Sequence, residues 1–397
     1  MQFRLRPLPR LLLGLSGLTL ALAGCASTGS DKPLDLSQGV PVGAVLALTS
    51  NANVYGQDQQ LGMQLAERWF KGKVMPIRLR IEDCGGDEQA ASQAFNLLID
   101  AGVVALIGPT LSQQAFAADP IAQRRGVPVV APSNTAEGIP QIGSFISRVS
   151  ASSAVIAPLS IKAALKRDPS IRRAAVFFAQ DDAYSSSEAA IFQSALAAKG
   201  LKPVTVQRTQ LNDQDFQNQI TAALRLKPDL IVISAQAVDG GNLIRQLREL
   251  GYKGSIVVGN GMNTPNIYPI CQAYCDGILI AQAYSPELDS AINKGFVTLY
   301  KEATGGAIPP QLSAQAFTAY QVVAEALTRL NRRTPINVRP LIEVRQELMQ
   351  ELLSGRYDTP LGAIAFTPEG EVVQERFHVA EVQMEPGGRS GRFALLE

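Results

Sequence analysis

The chain has 397 residues, of which 46 % are hydrophobic and 18 % charged, with a formal net charge of +1 from 36 basic and 35 acidic side chains. That length favours more than one domain, and the apolar share fills cores and excludes a disordered chain. The charge balance leaves no basic footprint for nucleic acid and no polybasic tract in the mature chain for an anionic membrane surface.

The chain opens with Arg4, Arg6 and Arg10 and no acid, followed by an apolar run over residues 11–23 that is short for a membrane span. This order is that of a secretory signal. It ends in Leu22-Ala23-Gly24-Cys25, which resembles the bacterial lipobox, so residues 1–24 are expected to be a signal peptide and Cys25 to carry the lipid. Residues 25–40, rich in Ser, Gly and Asp, read as a tether. The expected location is the periplasm or cell surface, with the lipid as the only hold on the membrane.

After the tether, residues 42–48 form an apolar strand-like run, and Leu61, Leu65 and Trp69 recur at helical spacing. Strands at 77–81, 103–107 and 127–131 alternate with helices at 88–101 and 113–125. The alternation restarts with a helix at 152–165 and continues through strands at 174–178, 203–207, 230–234, 255–258 and 277–281. Most of these strands are apolar throughout, as in parallel sheets covered on both faces. The fold class is α/β, with two doubly wound parallel-sheet lobes joined by a multi-strand hinge.

Helices then dominate at 291–304, 314–330 and 338–353, before a short strand pair near 363–366 and 371–373 and a last strand around His378. Such a late helical block fits a chain that crosses back to the first lobe and returns. The expected division is 41–150 plus 286–340 for one lobe and 151–285 plus 341–397 for the other, with crossings at 147–153 and 284–286.

His378 is the only histidine, so Ser-His or Cys-His catalysis would have to use it, and no nucleophile turn lies nearby. One histidine and dispersed cysteines supply no typical metal site. No enzyme activity, cofactor or metal is expected. Cys271 and Cys275 stand four apart, which on one helical turn brings their Cα atoms within bridging range, so they are expected to pair and Cys84 to remain a thiol. A Cys-x-x-x-Cys metal site is the rival and lacks a second ligand pair.

Ligands of open α/β sheets sit beyond the carboxyl ends of the strands. There the chain places Gly108-Pro109-Thr110-Leu111-Ser112 directly before a helix and Pro132-Ser133-Asn134-Thr135-Ala136 after the next strand. Both turns are rich in donors and read either as helix caps or as a carboxylate clamp. In the second lobe Asp181-Asp182-Ala183-Tyr184-Ser185, Gln236 and Gly259-Asn260-Gly261 occupy the equivalent strand ends. Asp182 either caps the next helix or neutralises a cation.

With Val54-Tyr55-Gly56-Gln57-Asp58 near the start and Tyr357-Asp358-Thr359-Pro360-Leu361-Gly362 near the end, these segments give a chain that resembles the type I periplasmic binding proteins. The likeness is to the branched-chain amino acid (Leu/Ile/Val) binding group of ABC importers and runs from about Val42 to Val382. The resemblance implies that Ser112 and Thr135 hold an α-carboxylate and that a backbone carbonyl at Ser133 meets an ammonium. It implies that Tyr55 and Tyr184 line the pocket from the two lobes. Gln236 stands where the Leu/Ile/Val binders have a tyrosine, and Asn260 near their ammonium-binding glutamate. Either Asp182 or Asp239 therefore supplies the charge, or the ligand carries no α-ammonium. The implied partners are a small-molecule ligand, expected to be an amino acid, and an ABC permease, with the protein itself a monomer. The alternatives are a regulatory lipoprotein using this fold to bind a protein, a binder of urea, amides or small carboxylates, and a hydrolase.

Overall fold

The protein is described by a computed structural model over residues 34–396. The expected signal segment, Cys25 and most of the tether lie outside the described residues.

Strands β1 (Val40–Leu46), β2 (Ile77–Asp83), β3 (Ala105–Ile107), β4 (Val129–Ala131) and β5 (Ile146–Arg148) alternate with helices α1 (Asn53–Phe70), α2 (Glu88–Asp100) and α3 (Ser112–Arg124). The strands form a five-stranded parallel sheet in the order β2-β1-β3-β4-β5. After α4 (Ser153–Arg167) the pattern repeats through β6 (Ala174–Ala179), α5 (Ala183–Ala197), β7 (Thr205–Thr209), α6 (Gln217–Leu224), β8 (Leu230–Ser234) and α7 (Ala237–Glu249). It continues through β9 (Ser255–Val258), a single-turn helix α8 (Tyr268–Cys271) and β10 (Leu279–Gln282). The central parallel strands of both sheets are buried on their two faces and so lack polar alternation. The edge strand β2 instead alternates inward apolar with outward polar residues, and the mostly polar edge strand β7 alternates in exposure.

The chain then returns to the first lobe. Helices α9 (Ala291–Thr304), α10 (Gln311–Arg333) and α11 (Leu341–Ser354) pack with α1 in one core through Phe296, Phe317, Leu327 and Leu348. Strands β11 (Tyr357–Thr359), β12 (Gly362–Phe366) and β13 (Val372–Gln374) form a small antiparallel sheet beside the same core. Only β14 (His378–Met384) and β15 (Gly391–Leu395) rejoin the second sheet, which runs β15-β14-β10-β9-β8-β6-β7. That sheet is parallel except for these two edge strands.

The lobe boundary expected at residue 340 is thus displaced. Val344, Leu348 and Leu352 make an i, i+4 stripe on α11 that buries against the first lobe, and the buried Arg345 guanidinium donates to the Val103 carbonyl at 2.7 and 3.1 Å. The helical stripe is visible in sequence, but the surface that covers it is not. A third crossing, between β13 and β14, joins the two foreseen ones.

The crossings are tied together. Arg148 is 1 % exposed, and its guanidinium reaches Glu371 through Nε (2.8 Å) and Nη2 (2.7 Å). Its Nη1 donates to the carbonyls of Asn134 (3.0 Å) and Ala136 (2.7 Å). One planar, five-donor group thereby fixes the hinge and the turn after β4 together, a task to which a point-charge lysine is unsuited. Cys271 and Cys275 are joined in a disulfide with Cα atoms 5.5 Å apart, and Cys84 is a buried thiol. Among the described residues no group of His, Cys, Asp and Glu is arranged to hold a metal ion.

Candidate functional site

The carboxyl ends of the two parallel sheets face each other, and the turns that leave them line a small, tight cavity. In the first lobe the turn after β3 carries Thr110 and Leu111 into α3, so that Ser112 is the first helical residue. The turn after β4 carries Ser133 and Thr135.

A residue that sequence reasoning passed over organises both turns. Gln59 on α1 is fully buried; its Oε1 accepts from Thr110 Oγ1 (2.7 Å), and its Nε2 donates to Ser133 Oγ (2.6 Å). The Ser133 hydroxyl donates in turn to the Thr110 carbonyl (2.6 Å), and Thr110 Oγ1 accepts from the Ala47 N–H (3.0 Å). The Ser133 side chain is therefore engaged within its own lobe. Ser112 Oγ accepts from the Ala136 N–H at 3.3 Å, which links the two turns while leaving its proton free. Thr135 lines the cavity at 2 % exposure, and its hydroxyl has no hydrogen-bond partner among the described residues.

Tyr55, two residues into α1, crosses to the other lobe. Its hydroxyl accepts from the Ala237 N–H (2.5 Å) and donates to the Gly261 carbonyl (2.7 Å). Deep burial raises its pKa far above that of a free phenol. Further bonds span the cleft: Asn51 Nδ2 to Asn212 Oδ1 (2.7 Å), and Thr264 Oγ1 to Asp58 Oδ2 (3.4 Å).

The second lobe's wall rests on Glu188, which sequence reasoning also missed. It lies one helical turn after Tyr184 on α5 and is 1 % exposed. Oε2 accepts from the Tyr184 hydroxyl (2.6 Å) and Ser234 Oγ (2.9 Å); Oε1 accepts from the Asn260 N–H (3.0 Å) and Ser153 Oγ (3.4 Å). The Tyr184 oxygen also accepts from the Gly261 N–H at 2.5 Å. Burial raises the Glu188 pKa, and these four donors oppose the rise. Gly259 is required here, because a Cβ at that position would overlap the Glu188 carboxyl.

Tyr55, Ser112, Ser133, Thr135, Tyr184, Gln236 and Asn260, all singled out from sequence, line this one cavity. Asp182 does not. It caps α5 by accepting from the Ser185 N–H (3.2 Å) and Ser185 Oγ (2.8 Å), and it also accepts from Gln236 Nε2 (3.0 Å). The capping reading of Asp182 is the correct one, and direct neutralisation of a ligand at this cavity is not its place. The Asn260 side chain is turned to Gln311, whose Nε2 donates to its Oδ1 at 2.9 Å. Among the described residues the lining of this cavity is uncharged, and its polar groups are hydroxyls, amides and backbone.

Residues 39–389 match the family model described as periplasmic binding protein. The chain belongs to the periplasmic binding protein family, whose members bind solutes outside the cytoplasm and do not transform them. It is 25 % identical over 249 residues to a Leu/Ile/Val-binding protein of Rhizobium johnstonii, covering 62 % of this chain and 67 % of that protein. The leucine-binding protein LivK of Thermotoga maritima superposes with a TM-score of 0.80 at 26 % identity, over 90 % of this chain and 99 % of that one. A solute-binding protein of an ABC transporter from Rhodopseudomonas palustris, solved with 3,4-dihydroxybenzoic acid, gives 0.78 at 21 % identity over 90 % and 96 %.

Replacing Glu188 by Ala removes the acceptor of four buried donors, and even if the Ser153 and Ser234 hydroxyls turn to other acceptors, the Tyr184 hydroxyl and the Asn260 N–H are left at an expected cost of about 2–4 kcal/mol. Glu188→Gln keeps one acceptor and should cost less. Denaturant unfolding of the two variants measures the difference, and equal, negligible losses would contradict the supporting role.

Proposed function

We propose that the protein is the lipid-anchored solute-binding component of an ABC importer and that it encloses an amino acid between its lobes. The observation that carries this reading is the pair of hydroxyls, Ser112 and Thr135, at adjacent strand ends beside the first turn of α3. The helix's free N–H groups and the two hydroxyl protons suit a carboxylate. The Ser133 carbonyl faces the role of ammonium acceptor, and Tyr55 and Tyr184 cover the ligand from opposite lobes. The names of the relatives, leucine-binding and Leu/Ile/Val-binding, support the amino acid.

A second reading is a small aromatic acid, which also presents a carboxylate to Ser112 and Thr135. The uncharged lining of the cavity favours it, since an aromatic acid brings no ammonium to neutralise, and the Rhodopseudomonas relative was solved with such a ligand.

In this mechanism the first lobe binds the carboxylate, and the hinge then closes the second lobe over it. Closure completes the Tyr55 bonds to Ala237 and Gly261 and presents one joint surface to the permease.

Thr135→Ala and Ser112→Ala should each weaken the ligand about tenfold, or roughly 1.4 kcal/mol per lost hydrogen bond, by isothermal titration. Affinities equal to wild type would remove these residues from the site.

Closure also buries Asp58, whose carboxyl is pushed up to about 7 by desolvation, with the Thr264 hydrogen bond opposing. In the open form it returns toward the usual carboxylate range, so the closed form holds more protons, and closure is progressively disfavoured as pH rises from the carboxylate range to about 7. Asp58→Asn should bind as wild type does only at about pH 3.5, below both values, and progressively tighter than wild type as pH rises to about 7, with a constant advantage above that. A variant-to-wild-type ratio that stays constant with pH would contradict this linkage.

The anchor has its own test. Cys25→Ser should move the protein from the membrane fraction to the soluble one, and a protein that stays with the membrane is held by something else.

A further inference from the structure

Past the wall formed by Tyr55, Leu111 and Gln236 lies a second, roomier chamber between the lobes. Those three residues line both spaces, so the second adjoins the central cavity as a side room across their side chains. Its polar surface comes from Asn51, Gln113 and Asp87 on the first lobe and from Asn212, Gln236 and Asp239 on the second. Among the described residues no Lys, Arg or His lines either chamber. The only charges on the walls are the two carboxylates of the side room.

Of these, Asp87 caps α2 from an exposed position, accepting from the Ala90 N–H at 2.7 Å. Asp239 is different. It lies in the first turn of α7, is 4 % exposed, and its Oδ1 accepts only the Asn212 N–H at 3.1 Å. Asn212 adopts a left-handed backbone (φ 67°), and its side chain accepts the cross-lobe bond from Asn51. The loop that closes the room therefore also orients its carboxylate. Behind Gln236, Asp182 is 1 % exposed and keeps one carboxylate oxygen without any donor. Burial pushes Asp239 up to about 7; the Asn212 N–H opposes this, while the neighbouring Asp182, Asp213 and Asp181 add to it. A buried, under-paired carboxylate among acids is relieved by an incoming cation, and a charge-assisted bond there is stronger than a neutral one.

We propose that the side room receives the cationic end of the ligand's side chain, with Asp239 as its acceptor, and that the ligand is an amino acid ending in an ammonium or guanidinium group. This rests on the reading of the central cavity as an amino-acid site, and it names the class of amino acid. The α-carboxylate stays at Ser112 and Thr135, the chain passes Tyr55 and Leu111, and the terminal donors meet Asp239 and the flanking amides.

Isothermal titration with arginine, lysine, citrulline, leucine and benzoate tests both readings. Arginine or lysine should bind at least tenfold tighter than leucine, and citrulline, the uncharged analogue of arginine, should lose that advantage on the wild-type protein. Asp239→Asn, which retains an acceptor for the Asn212 N–H, should weaken the basic ligands tenfold or more and leave leucine unchanged. Leucine binding as tightly as arginine, or citrulline matching arginine, would overturn the side-room assignment while leaving the amino-acid site intact. Equal losses for leucine and arginine in Asp239→Asn would overturn it too, since Asp239 would then serve a group common to both. Benzoate alone binding, or no ligand binding, would overturn the amino-acid reading and this inference together.

Discussion

A phenol from the first lobe reaches across the cleft and finds both of its hydrogen-bond partners on the backbone of the second. Tyr55 can do so only because α1 begins hard against the end of β1, where Gly56 leaves no Cβ to overlap the Ala47 carbonyl. The partners, Ala237 and Gly261, sit at the ends of two different strands of the second sheet. The Tyr55 oxygen is thus satisfied when the lobes are in register and loses two buried bonds when they part. Such groups are costly to leave unpaired in the interior and cheap to hydrate, which makes them suited to a hinged protein with two states of similar energy.

Each wall of the cleft has a single buried polar residue behind it. On the first lobe Gln59 uses its amide to align Thr110 with Ser133. On the second, Glu188 gathers Tyr184, Ser234 and Asn260 around one carboxyl. Arg148 does the equivalent work at the hinge, holding Glu371 and the carbonyls of Asn134 and Ala136 at once. The residues that line the cavity are therefore held in place by buried residues behind them. Fixing the donors in advance reduces the ordering that binding would otherwise require.

The strand–helix alternation was legible because parallel strands buried on both faces read as continuous apolar runs and helices as spaced apolar residues. Helix α9 begins and ends where its spacing predicts, whereas α10 extends a turn earlier because Gln311 is drawn into the hinge by Asn260 and Ala283. The turn residues were legible too, since hydroxyls and amides at strand ends have few other reasons to cluster. What sequence could not supply was long-range pairing. Nothing local marks Glu188 as more than another polar residue in a helix; only its spacing of four from Tyr184 hints that the two share a face. Gln59 and Arg148 meet partners 51 and 223 positions away. Asp182 offered two chemistries in sequence, and only the position of the Ser185 N–H decides for the cap.

Two lobes that close around one small carboxylate-bearing solute, as proposed, couple its binding to the stability of the whole chain. Thermal unfolding of the purified protein across a panel of amino acids and small organic acids tests it most directly. A ligand bound only by the closed native state adds about 2.7 kcal/mol at a hundredfold excess over its dissociation constant. The melting temperature should rise by a few degrees with at least one amino acid, and the rise should be lost in the Thr135→Ala variant. A well-folded protein whose melting point no amino acid or small carboxylate moves would contradict it.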